Sequence, residues 1–111
     1  MIYQVNTLGG KIMDANFEKA SCYPHRAYAF VSELQAYWDH PSQEAIPAAV
    51  TTEILKITRK NGIKRQYVNY CSLGFDDWEH AYYGENYERL QTIKRKHDPD
   101  NNIRHQQSIK G

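Results

Sequence analysis

The pattern that most restricts this chain lies at its beginning. Residues 2–7 alternate apolar and polar side chains (Ile2, Tyr3, Gln4, Val5, Asn6) until Gly9-Gly10 breaks the run, and Ile12-Met13 comes next. A period of two puts successive side chains on opposite faces of an extended backbone, so a strand, a glycine turn and a second short strand are expected. A strand cannot stand alone, because its amides and carbonyls need neighbours or a protected edge. The rest of the chain must therefore supply sheet partners. A chain that opens on a strand already in progress reads as a domain cut open.

The middle of the chain switches period. Ile46, Val50, Ile54 and Ile57 recur at helical spacing, and Asn61-Gly62 supplies a left-handed stop. Pro47 fits that helix only in its first turn, where an amide hydrogen would have had no partner. Residues 64–71, with Tyr67, Val68, Asn69 and Tyr70 at their heart, are rich in strand formers and predict a strand. Asp76 is placed to cap a following helix, with Glu79 three residues on completing a capping box. Tyr83, Tyr87, Leu90 and Ile93 form its inward stripe, and the helix ends before Asp98-Pro99-Asp100. Residues 26–38 fit two periods: Phe30, Leu34, Tyr37 and Trp38 share a helical face, while Tyr28, Phe30, Leu34, Ala36 and Trp38 share a strand face. Residues 104–111 read as an extended tail on the body or in solvent. The fold class is α+β, a partial antiparallel sheet with helices on one face. At 111 residues the chain is one small domain with a single core.

Composition narrows the partners. A formal net charge of +1 with 24% charged residues demands neither nucleic acid nor an anionic membrane. No apolar run approaches bilayer length, and residues 1–6 lack the pattern of a signal peptide. Two cysteines, Cys22 and Cys71, are too few for a disulfide scaffold, although one bridge between them stays open. Nine tyrosines beside three phenylalanines and two tryptophans give aromatic surface that carries hydroxyls, a composition suited to a ligand or another domain.

Several motifs in order carry a resemblance. Tyr67-Val68-Asn69-Tyr70, Trp78, residues 81–90 from Ala81 to Leu90, Lys94, Asp98-Pro99-Asp100-Asn101 and Gln107-Ser108-Ile109 resemble the C-terminal signature of berberine-bridge-enzyme-like oxidases. Upstream, Leu8-Gly9-Gly10, Tyr23-Pro24-His25-Arg26 and Trp38 resemble the preceding strands of that family's substrate domain. The resemblance implies a C-terminal substrate-domain fragment over residues 1–111, with no FAD-binding domain in the chain, and it favours a strand for residues 28–38. It implies FAD as cofactor, held mainly by a separate domain or subunit, and a small-molecule substrate. Asn102-Ile103 departs from the family's usual aliphatic residue followed by phenylalanine, which bears on how the tail docks.

The resemblance places Tyr70 beside the flavin as the candidate catalytic base, and Tyr67 and Asn69 as candidate cofactor contacts. The chemistry asks for such a base, since an alcohol carbon yields hydride readily only as its hydroxyl loses a proton. Strand alternation puts Val68 and Tyr70 on one face and Tyr67, Asn69 and Cys71 on the other, so a bulge is needed for both sets to reach one ligand. His25 and Arg26 read as a strand-entry pair satisfied by local hydrogen bonds. Cys22 and His25 have the spacing of half a zinc site, but no second pair occurs at ligand spacing and no metal is expected. Lys94, Arg95, Lys96 and His97 complement a helix C-terminus. The alternative to an oxidoreductase segment is a noncatalytic binding or self-association module without flavin, for which an open sheet edge and exposed tyrosines would serve.

Overall fold

The N-terminal alternation forms the expected strand. In the computed structural model, which describes residues 1–18 and 20–111, β1 (Ile2–Thr7) pairs antiparallel with β2 (Phe30–Gln35). Tyr3 lies opposite Leu34, Val5 opposite Ser32 and Thr7 opposite Phe30. Leu8 N–H donates to the Ala29 carbonyl at 2.8 Å and extends the ladder by one pair. Of the two readings of residues 26–38, the strand is the one observed. With this ribbon and three α-helices among the described residues, the fold is α+β. The chain divides into two compact units, residues 1–13 with 28–64 and residues 14–27 with 65–111.

In the first unit the expected strand at Ile12-Met13 does not form. The backbone coils into a 3-10 turn, Gly10–Met13, in which Ile12 N–H reaches back to the Gly9 carbonyl, so those groups are used locally before a ladder could take them. Helix α1 spans Ala45–Lys60, with Pro47 third in the helix, where the first-turn rule allows it. Its end is a Schellman motif. Gly62 takes φ +90°, its N–H donates to the Arg59 carbonyl, and Ile63 N–H donates to the Thr58 carbonyl. No described side chain of this unit is fully buried.

The second unit holds the core. Helix α2 (Trp78–Tyr83) and helix α3 (Tyr87–His97) stand where one helix is expected from sequence. The interruption is at Gly84, whose φ of +54° and ψ of −135° suit glycine alone. Because the helix breaks there, the stripe expected at Tyr83, Tyr87, Leu90 and Ile93 is not the buried one: the first three are half-buried and Ile93 is exposed. The core is Phe75, Trp78, Ala81 and Tyr82, joined by His25 and Gln107. The α2 residues among these follow i, i+3, i+4 spacing. The N-cap falls on Asp77, with no side-chain cap hydrogen bond, so the capping box expected from Asp76 is absent.

Residues 64–71 form no strand. Gln66 N–H donates to the Ala81 carbonyl at 3.0 Å, and Val68–Tyr70 winds into a 3-10 turn. Strand propensity expresses fit to a pleated neighbour, and among the described residues no third strand lies beside this segment. At the other end, α3 finishes in Lys94, Arg95, Lys96 and His97. The Asp98 carboxylate, paired with Lys94, accepts from the Asn102 and Ile103 amides at 2.7 and 3.0 Å. The tail lies on this unit, anchored by Gln107. Its side chain donates to the Ser72 carbonyl at 2.9 Å and accepts from the Tyr82 hydroxyl at 2.9 Å. Ile103, in the stretch that departs from the family pattern, is 77% exposed and is held through its backbone, its amide by Asp98 and its carbonyl by Lys94.

Candidate functional site

A 3-10 turn has three residues per turn, so side chains at i and i+3 eclipse. Tyr67 caps the turn Val68–Tyr70 in extended conformation, and the Tyr70 amide closes on the Tyr67 carbonyl at 2.9 Å. The two tyrosine rings therefore meet on one side, edge to face, with centroids 5.3 Å apart and planes at 80°. The conflict that strand alternation created between Tyr67 and Tyr70 disappears with the strand. Asn69, between them in sequence, turns its amide back to donate to the Tyr67 hydroxyl at 2.7 Å. The Gln66 side chain donates to the Tyr70 carbonyl and holds the turn closed. Tyr67 and Tyr70 are half-buried and Asn69 is exposed, so the phenols stand at a surface and not inside the core. All three residues singled out by the resemblance share one cluster.

Residues 14–27 extend it. Tyr23 meets Tyr67 edge-on at 6.1 Å, and His25 meets Tyr23 edge-on at 5.2 Å. The Arg26 guanidinium lies 5.5 Å from the centre of the Tyr23 ring and 5.7 Å from that of Phe17, and it donates to the Ser21 hydroxyl at 2.8 Å. A cation between two ring faces is attracted by their quadrupoles. Tyr23 and Arg26 are neighbours of the site: Arg26 was read from sequence with His25 as a strand-entry pair rather than as a pocket residue, and Tyr23 had no signal beyond the upstream Tyr23-Pro24-His25-Arg26 stretch of the resemblance, some forty residues before Tyr67. Burial first, with Tyr67 adding to it and Arg26 opposing, pushes the Tyr23 phenol above its usual value.

His25 and Arg26 are not the strand-entry pair expected from sequence, because β2 begins only at Phe30. His25 is buried, and its ring interacts with the backbones of Gln66 and Tyr82. Burial foremost, then the Arg65 charge, holds its imidazole below the ordinary range. Cys22 and Cys71 are exposed and unbridged. Among the described residues no three His, Cys, Asp or Glu side chains converge as metal ligands, and no helix is long and apolar enough to cross a membrane.

The cluster presents aromatic edges, a side-chain amide and phenol hydroxyls together at a surface. It does not offer a dinucleotide cradle. Gly9-Gly10 leads into a 3-10 turn, with no α-helix N-terminus aimed at phosphate.

The family model for berberine and berberine-like proteins matches residues 66–110, a stretch running from the tyrosine turn through α2 and α3 to the tail. The uncharacterized FAD-linked oxidoreductase YvdP of Bacillus subtilis is 34% identical over 80 residues, covering 72% of this chain. The chain belongs to the berberine-bridge-enzyme-like family. Two further members come from Arabidopsis thaliana. Berberine bridge enzyme-like 21 is 26% identical over 122 residues, covering 94% of the chain, and the monolignol oxidoreductase AtBBE-like 13 is 46% identical over 106 residues, covering 83%. The matches span only 18%, 22% and 20% of these relatives' own lengths. No solved structure matches the chain.

Proposed function

We propose that this chain is the C-terminal substrate-domain segment of an FAD-dependent oxidoreductase acting on a small molecule, and that it supplies one wall of the active site without itself holding the flavin. The reading rests on one observation: the Tyr67-Val68-Asn69-Tyr70 motif, within the family-matched residues 66–110, folds so that both phenols emerge together at a half-open surface. A flavin bound against that wall would accept a hydride from the substrate carbon. The chain's part is to take the substrate proton and to orient the reacting face. Tyr70 is the candidate base, its backbone pinned by Gln66 and its ring set by Tyr67. Tyr67 and Asn69 form the cofactor-facing pair, the Asn69 amide holding the Tyr67 hydroxyl in place. On this reading the rest of the flavin is held by an FAD-binding domain or subunit outside this chain.

The test is a chimera in which this chain replaces the matching segment of YvdP, made with Tyr70 and with Tyr70→Phe. Loss of a general base is expected to lower substrate-driven flavin reduction by about 10²- to 10⁴-fold. Flavin loading, read from its visible absorbance, should stay the same. An unchanged reduction rate removes Tyr70 from the mechanism. Expressed alone, the chain is expected to purify without flavin absorbance.

A further inference from the structure

The turn that carries the candidate base is tied at both ends to two consecutive residues of α2. Before the turn, the Gln66 N–H donates to the Ala81 carbonyl at 3.0 Å. After it, the Ser72 N–H donates to the Tyr82 hydroxyl, also at 3.0 Å. Ala81 and Tyr82 are the least exposed residues of the core, and the Tyr82 ring packs against Phe75 and Trp78. Neighbouring positions on one helical turn keep a fixed separation, so these two anchors set the distance that the turn must span.

Gln107 completes the second anchor. The Tyr82 hydroxyl donates to Gln107 Oε1 at 2.9 Å, and Gln107 Nε2 donates to the Ser72 carbonyl at 2.9 Å. Together with the Ser72 N–H on the Tyr82 oxygen, these bonds close a circuit that uses both backbone groups of Ser72. The circuit fixes its own polarity: a carbonyl only accepts, so the amide atom facing Ser72 must be the nitrogen, which leaves the oxygen to take the Tyr82 proton. Bonds linked head to tail away from water strengthen one another. Gln107 is buried, and a buried amide is costly unless both of its ends are bonded. Without it, the Tyr82 proton would turn to the Ser72 carbonyl, 3.3 Å away, and draw that residue from its place. Only Cys71, in extended conformation, separates Ser72 from Tyr70, so such a shift passes directly into the turn.

We infer that Tyr82 and Gln107 are positioning residues for the Tyr70 phenol: they touch none of the reacting atoms, and by clamping Ser72 to α2 they hold the base in one place. This role rests on the reading of Tyr70 as the base. It gives the tail a part in the site, since Gln107 lies beyond α3 and reaches back across 35 residues to Ser72. It also sets Tyr82 apart from Tyr67 and Tyr70, because its hydroxyl is committed inside the core and takes no proton from a substrate.

A chimera in which this chain replaces the matching segment of the monolignol oxidoreductase AtBBE-like 13, assayed with a monolignol, tests the clamp. Gln107→Met keeps the length of the side chain and removes both polar ends. It should lower kcat by about 10- to 100-fold, the cost of a base displaced by about an ångström, with KM little changed. In a Tyr70→Phe background the same substitution should lower kcat no further, because the clamp acts only through that phenol. Tyr82→Phe opens the circuit from its other side and should repeat both results, which keeps the test sound if Gln107→Met disturbs the fold. An unchanged kcat in both single variants overturns the proposal, and so does an equal further loss in the Tyr70→Phe background. Nuclear Overhauser contacts between the Tyr67 and Tyr70 rings, measured on the full chain, report on the clamp without catalysis: Tyr70→Phe should keep them, and Gln107→Met and Tyr82→Phe should lose them. If Tyr70→Phe alone leaves turnover unchanged, the base reading falls. Ring contacts that survive both Gln107→Met and Tyr82→Phe overturn the clamp, whatever the base.

Discussion

Tyr82 shows how one hydroxyl joins distant segments. Its ring is 2% exposed against Phe75 and Trp78. Its oxygen accepts from the Ser72 amide at 3.0 Å and donates to Gln107 at 2.9 Å. Tyr82→Phe keeps the packing and leaves both partners short of a bond in a desolvated place. A loss of about 1–3 kcal/mol is expected from denaturant unfolding; a smaller change would mean that water reaches Ser72. His25 supplies a pH dependence of definite sign. Burial, then Arg65, disfavours its charged form in the folded chain, while Glu18 and the backbones of Gln66 and Tyr82 oppose them. The unfolded chain titrates at the ordinary imidazole value of about 6.5 and so binds more protons below it. Stability is complete above that pH and declines as pH falls toward the folded value. Urea unfolding at pH 8 and at pH 5 should show the decline, and His25→Gln should remove the part of it that His25 causes.

At the scale of elements, punctuation was legible and pairing was not. Asn61-Gly62 stops α1 as the pattern required, because a left-handed residue at that point is a local demand that glycine meets. Gly84 answers the same kind of demand inside the expected second helix, unannounced by any flanking turn residue, and it splits α2 from α3. Its reason is tertiary. A Cβ there would come within 2.7 Å of the Arg65 guanidinium, which donates to the His80 carbonyl at 2.6 Å and so closes the end of α2. Gly84→Ala is expected to cost at least about 1–3 kcal/mol through backbone strain alone, measurable as a lowered thermal midpoint. If the midpoint is unchanged, α2 and α3 can be joined without that conformation. Residues 64–71 fail as a strand for the complementary reason: their side chains suit a sheet, but the structure brings them no ladder. The outcome is the turn that sets Tyr67 against Tyr70.

At the scale of the whole molecule, the buried apolar side chains among the described residues, Phe75, Trp78, Ala81 and Tyr82, all belong to the second unit. The ribbon and α1 contribute none. Local opening free energy follows buried contacts, so amide hydrogens of β1 and of α1 are expected to exchange well before those of Ala81 and Tyr82. Exchange measured by NMR on dilute chain checks this, and equal protection of Val5 and Ala81 would contradict it. The amino-acid pattern alone determined the α+β class, the first strand, α1 with its stop, and the family to which the motif series belongs. Each follows from local period, local backbone conformation or residue identity in order. Only the tertiary structure decided that Tyr67, Asn69 and Tyr70 share a turn, that Tyr23 and Arg26 join them, and that Gln107 anchors the tail. The turn forms because no neighbouring strand takes those residues into a ladder, and the Tyr23, Arg26 and Gln107 contacts link residues far apart in the chain, where side-chain spacing carries no record of which distant partner completes a hydrogen bond or covers a ring.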